Sequence, residues 1–147
     1  MIKDKDTTRS LSRVLENMQK QDEGNSFIDL HSAGECSFSS YLRKIMENSG
    51  LEKSEIVRRS GISRNYVYNV LSGSRPNPGR DKILALCIAS EMNYRQTQQA
   101  LEIAGSAPLY PRDPRDVRIA IAINSGMHDV MNVNLLLDEY GLAPLDI

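Results

Sequence analysis

The sequence predicts an all-α protein, and three observations predict it. Apolar residues recur at helical spacing: Phe38, Tyr41, Leu42, Ile45 and Met46 fall at i, +3, +4, +7 and +8, while no segment alternates as a half-buried strand must. Glycines stand where the periodic runs stop, at Gly50, Gly61, Gly105 and Gly141. A pattern of helix, turn, helix and glycine stop also occurs twice. Gly105-Ser106-Ala107-Pro108-Leu109 returns 36 residues later as Gly141-Leu142-Ala143-Pro144-Leu145.

Residues 1–9 are polar. Residues 10–20 place Leu11, Val14, Leu15 and Met18 on one stripe, which predicts a short N-terminal amphipathic helix, marginal unless it docks. Phe27 to Cys36 has no period and reads as linker, so residues 1–36 are expected to form a mobile arm. The next helix carries the Phe38–Met46 stripe, with Ser37 as N-cap and Gly50 as the left-handed stop. A second helix spans about 53–60 and ends at Gly61. Ser63 caps a third, reaching about 72, with Val67, Val70 and Leu71 turned inward. The breaker-rich turn Ser72–Gly79 follows, and Pro78 suits the first turn of a fourth helix over 79–90, with Ile83, Leu84, Leu86, Cys87 and Ile88. At the 36-residue offset Ile83 meets Ile119, Ala85 meets Ile121, Asn93 meets Asp129 and Leu101 meets Leu137. Asp113-Pro114-Arg115-Asp116 opens the second copy with an N-cap, an N1 proline and an acid in the first turn. The expected organisation is an arm (1–36), a domain (37–105) and a C-terminal helical hairpin (106–147).

The chain has 147 residues, 40% hydrophobic and 25% charged, with a net charge of −1, so composition itself gives no reason to expect a polyanionic partner. The charge is unevenly placed. Residues 38–80 hold eight Lys or Arg against three acids, whereas the flanking segments are both acidic. A basic centre between acidic flanks fits a local polyanion site. Cys36 and Cys87 lie far apart in no metal-ligand spacing and read as free thiols of a reducing compartment. Met1-Ile2-Lys3-Asp4 lacks the apolar core of a signal peptide, and no apolar run approaches the roughly 20 residues that span a bilayer. A cytoplasmic protein without membrane attachment is expected. His31 and His128 stand apart from other ligands, and the Ser72–Arg80 loop follows no strand. Arg112 and Arg115 sit in a Tyr110–Asp116 stretch that a helix start explains. No enzyme, cofactor or metal site is expected.

The segment from Lys53 to Ser72 carries the functional signal. Two short helices joined by three or four residues must cross steeply, and the chain reverses at one left-handed residue, where Gly61 stands. Ile56, Ile62, Val67 and Val70 then meet inside the corner. The outer face of the third helix is left with Arg64, Asn65, Tyr68 and Asn69, side chains of the kind that read base edges: Arg to guanine, Asn to adenine.

Residues 38–90 resemble the lambda-repressor-like helix-turn-helix family, the XRE family of bacterial and phage regulators. The resemblance lies in the apolar spacing, Gly61, the following Ser-Arg, and Leu71-Ser72-Gly73-Ser74-Arg75-Pro76-Asn77-Pro78. It departs where Val57 replaces a usual Ala, Glu52 a Ser or Thr cap, and Lys53 a Gln. The resemblance implies a five-helix domain extended by the C-terminal hairpin, and a recognition helix (63–72) in the major groove of double-stranded DNA. Arg64, Asn65, Tyr68 and Asn69 then contact bases, while Lys53, Ser54, Ser63, Tyr66, Arg75 and Asn77 hold the DNA backbone. Arg58 and Arg59 read as solvated surface. Such regulators commonly bind as homodimers on two half-sites. The rival reading is a protein-interaction adaptor or antitoxin-like module whose groove-reading role has lapsed, working through the acidic C-terminal hairpin. Within that hairpin Val130, Val133, Leu137 and Tyr140 make one face, while Met131 and Leu135 point elsewhere.

Overall fold

The computed structural model describes Leu15, residues 37–75 and residues 77–147. The expected arm lies outside the described residues except at Leu15, which is helical and exposed. The described residues hold seven helices and no strand. They are α1 (Phe38–Ser49), α2 (Lys53–Ser60), α3 (Arg64–Ser72), α4 (Arg80–Ala89), α5 (Tyr94–Ile103), α6 (Pro114–Asn124) and α7 (Val130–Glu139).

Local chemistry sets the boundaries. Ser37 Oγ accepts from Ser40 N at 3.1 Å, and Gly50 closes α1 at φ 68°. Glu52 serves at the head of α2 despite its length, because its backbone N–H donates to Glu55 Oε1 at 3.2 Å. Gly79 rather than Pro78 caps α4, so this helix starts at Arg80 and the buried Pro78 packs just ahead of it.

α4 forms the axis of the core, with Ile83 to Ala89 all buried. α2, α5 and α7 pack on it directly, while α1 packs on α3 and α5 and α3 on α2, and Leu42, Ile56, Val67, Val70 and Leu101 join one buried cluster. Burying each large aliphatic chain contributes about 1.5–3 kcal/mol. Val57 is half-buried against the same core.

The internal repeat is real in three dimensions, but its register differs from the expected constant 36. Arg80-Asp81 overlies Arg115-Asp116, Ser90 overlies Ser125, and Met92 overlies Met127, an offset of 35. Ser90 and Ser125 each cap a helix by donating to the carbonyl four residues back, at 2.6 Å. The next residue is left-handed in both copies, Glu91 at φ 62° and Gly126 at φ 80°. His128 is then one extra residue, and from the caps Asn93 and Asp129 onward the offset is 36.

The copies close in the same way. Gln98 holds Leu109 through both backbone groups (2.7 and 3.2 Å), and Asn134 holds Leu145 likewise (2.8 and 3.5 Å). Between copies the contacts are reciprocal. Arg80 forks onto Asp116 at 2.9 and 3.2 Å, while Arg115 forks onto Asp81 at 2.9 and 3.1 Å. Each arginine also grips the Ala-Pro carbonyls of its own copy: Ala107 and Pro108 for Arg80, Ala143 and Pro144 for Arg115. Each aspartate accepts one more N–H, from Tyr110 or Asp146, at 2.9 Å. α4 with α5 and α6 with α7 are thus related by a local pseudo-two-fold. Burial pushes the Asp81 carboxyl up, but the hydrogen bonds and charge of Arg115 outweigh it and hold it below its ordinary 3.8. A depressed carboxylate contributes stability at neutral pH that is lost as pH falls through its folded value.

Candidate nucleic-acid interface

The corner between α2 and α3 is built from short-range bonds. Gly61 takes φ 73° and donates to Val57 O. The buried Ser60 hydroxyl accepts from Ile62 N at 3.1 Å, and Ser63 Oγ caps α3 by accepting from Tyr66 N at 3.2 Å. The far end of α3 is tied to α1, because Leu71 O accepts from both Ser39 Oγ and the Arg43 guanidinium. A helix anchored at both ends presents its outer edge rigidly.

That edge carries Arg64 and Asn65 exposed, with Tyr68 and Asn69 half-buried beside them. At 100° per residue Tyr68 and Tyr66 point about 160° apart around α3, so one tyrosine flanks each side. Each ring gathers two cations. Lys53 Nζ and Arg64 Cζ lie 5.1 and 5.4 Å from the Tyr68 centroid. Arg75 Cζ and Lys82 Nζ lie 4.6 and 5.3 Å from that of Tyr66. Among the described residues no ion pair joins any of these four cations to an acid. Ring contact positions a cation while leaving its N–H groups free to donate.

The structure therefore brings Arg64, Asn65, Tyr68, Asn69 and Lys53 to one side of α3, with Ser54 exposed in the first turn of α2. Tyr66 and Arg75 meet at the other side, with Asn77 exposed in the loop beyond them. Ser63 is committed to capping α3. Lys82 was not expected here. A count of basic residues that stops at Arg80 leaves it out, although its place in the first turn of α4, just past the loop that carries Arg75, was the available signal. Arg59 is corrected in the opposite sense. It is half-buried, pairs with Glu91 at 2.7 Å and Glu55 at 3.5 Å, and donates to Ala89 O, so it fastens α2 to the end of α4. Arg58 is exposed, as expected.

Cys87 is fully buried, and burial pushes its thiol up, which suits packing rather than thiolate chemistry. No cluster of three or more potential metal ligands occurs among the described residues, and none of their helices is long and apolar enough to cross a membrane.

Residues 37–92, a little over a third of the chain, match the family model for a helix-turn-helix domain. This span runs from the N-cap of α1 past the end of α4 and includes the corner between α2 and α3. No match was found among curated proteins or among solved structures.

Proposed function

We propose that the chain is a sequence-specific, cytoplasmic, DNA-binding transcriptional regulator of the lambda-repressor-like type. In this reading a five-helix domain is extended by a C-terminal helical hairpin, and the protein works as a homodimer with α3 in a major groove. One observation carries the proposal: the exposed Arg64-Asn65 edge of α3 is flanked by Lys53 beside Tyr68 and by Arg75 with Lys82 on Tyr66, and none of these cations has an acid partner among the described residues. A major groove is bounded by two phosphate rows, and the arrangement supplies base-reading side chains in the middle and phosphate donors on both flanks. Lys53 and Arg75 with Lys82 take the flanks, joined by Ser54 and Asn77.

A titration against random-sequence duplex at several salt concentrations, followed by selection of preferred sites, tests this. Arg64→Ala and Asn65→Ala each weaken the selected site by about 1–3 kcal/mol while sparing random duplex. Lys53→Ala, Arg75→Ala and Lys82→Ala weaken all duplexes alike, and each flattens the slope of log K against log salt by about one. Equal losses on both duplex types from both sets would overturn the sorting of contacts.

The adaptor or antitoxin-like reading draws on one observation, the exposed Met131 and Leu135 on α7. It predicts no salt-dependent affinity for any duplex, so the same titration separates the two.

A further inference from the structure

The duplication supplies a comparison within one chain. The turns after α4 and α6 follow the same backbone course. Glu91 N–H donates to Ile88 O at 3.2 Å and Met92 N–H to Cys87 O at 3.1 Å. In the second copy Gly126 N–H donates to Ile123 O at 3.1 Å and Met127 N–H to Ala122 O at 3.0 Å. Both turns need one left-handed residue. The second copy meets that need with glycine, at φ 80° and without steric cost. No neighbour stands within 4 Å of the place a Cβ on Gly126 would take, so backbone conformation alone favours glycine there. The first copy uses Glu91 at φ 62°, the one residue other than glycine with positive φ among the described residues. Its Cβ crowds the backbone, so the turn itself would be better served by glycine.

What the first copy gains is the side chain. Glu91 Oε2 accepts from Arg59 Nη1 at 2.7 Å, and Arg59 is the next-to-last residue of α2, two places before Gly61. Arg59 Nη2 also reaches Glu55 Oε2 at 3.5 Å, while Glu55 Oε1 accepts from Glu52 N at 3.2 Å. These contacts run the length of α2, from the cap beside Lys53 to the corner that aims α3, and Glu91 anchors them at the end of α4. The other bond from Arg59 to that end, to Ala89 O, is longer at 3.3 Å. The Arg59 and Glu91 side chains are 19% and 35% exposed, and a pair so open to water contributes little to stability. Stability therefore does not account for a strained residue where glycine would serve. We propose that Glu91 is a positioning residue for DNA reading: its carboxylate holds Arg59 and so sets the angle at which α2 delivers α3 to the groove. The role rests on the proposed function, since the corner has this task only if α3 reads a duplex. Glu91 and Arg59 act through the corner and do not touch the nucleic acid.

Glu91→Gly installs the residue of the second copy and tests this in the full chain. Because it relieves the strained φ, the variant should keep its helical spectrum and melting temperature. Amide exchange without DNA should quicken at Ile62 and Tyr66, whose N–H groups are bonded within the corner, and stay unchanged in the middle of α4. Affinity for the selected duplex should fall by about fivefold, and that for random duplex by less than about twofold, because phosphate contacts carry no sequence information and base contacts need the set angle. Arg59→Met should do the same, and the two together should add nothing, since both remove one contact. Glu91→Gln keeps an acceptor for Arg59 and should retain most of the selected-site affinity. Unchanged corner exchange with an unchanged ratio of selected to random affinity would overturn the proposal. A lower melting temperature with that ratio unchanged would overturn it too, as the mark of a purely structural pair. The DNA-binding reading fails by a different result: an unaltered protein without salt-dependent affinity for any duplex would overturn that reading, and this role with it.

Discussion

Replacing Gly61 with valine lowers the melting temperature by about 10 °C and the stability by about 2–3 kcal/mol. Gly61 has φ 73°, a conformation in which a Cβ crowds the backbone, and a β-branched side chain suffers most there. A second term is steric. A Cβ at this place would stand 2.8 Å from Ile147 Cδ1. That atom ends a flexible side chain, so the contact yields more readily than the backbone does. The two terms separate cleanly. Gly61→Asn keeps a residue that tolerates the left-handed region and costs less, about 1 kcal/mol. Adding Ile147→Ala to Gly61→Val should recover only a small part of the loss. If Ile147→Ala restored most of it in thermal melts, the contact and not the backbone would be the source. Binding to the selected duplex should fall with folding, because this corner sets the direction of α3.

What could be read from the sequence was what the chain encodes locally. The periods and caps of α1, α2 and α3 lie within four residues of the groups they satisfy, so Ser37, Gly50, Gly61 and Ser63 stand where they were expected. α4 is buried on all sides, so its amphipathic period is lost and its start was placed one residue early. The repeat was visible at its Ala-Pro-Leu ends but misaligned upstream, since the single extra residue His128 shifts the register between two helices that each match well. The roles of Arg59, Arg80 and Arg115 depend on partners about 30 residues away, which no local pattern announces. Arg115 in particular sits in a helix start that explained its neighbours without revealing its fork onto Asp81. At the interface, the outward face of α3 followed from helical spacing, while the second cation on each tyrosine required the fold. Lys82 reaches Tyr66 only because α4 returns beside α3.

The crossed ion pairs give the other large effect, and the pseudo-two-fold makes it a controlled one. Asp116→Ala should cost about 3 kcal/mol, whereas Asp81→Ala should cost about 1 kcal/mol. The two aspartates make the same bonds: a forked arginine from the other copy and one backbone N–H, from Tyr110 or Asp146. They differ in burial. The Asp116 side chain is 5% exposed and that of Asp81 23%. Removing Asp116 leaves the Tyr110 N–H without its acceptor at a nearly dry position and strips Arg80 of its carboxylate, although Arg80 is 26% exposed and keeps the Ala107 and Pro108 carbonyls. Removing Asp81 opens a place that solvent already reaches, so water can replace most of what Asp146 N and Arg115 lose. Denaturant melts of the two single variants, with Arg80→Ala and Arg115→Ala completing a double-mutant cycle for each pair, should give a larger coupling for Arg80–Asp116. Equal couplings would show that the shared geometry, not burial, sets the strength of both pairs. A larger loss for Asp81→Ala would place the weight of the junction on the last residues of the chain, where Asp146 N meets Asp81 and Ile147 reaches Gly61.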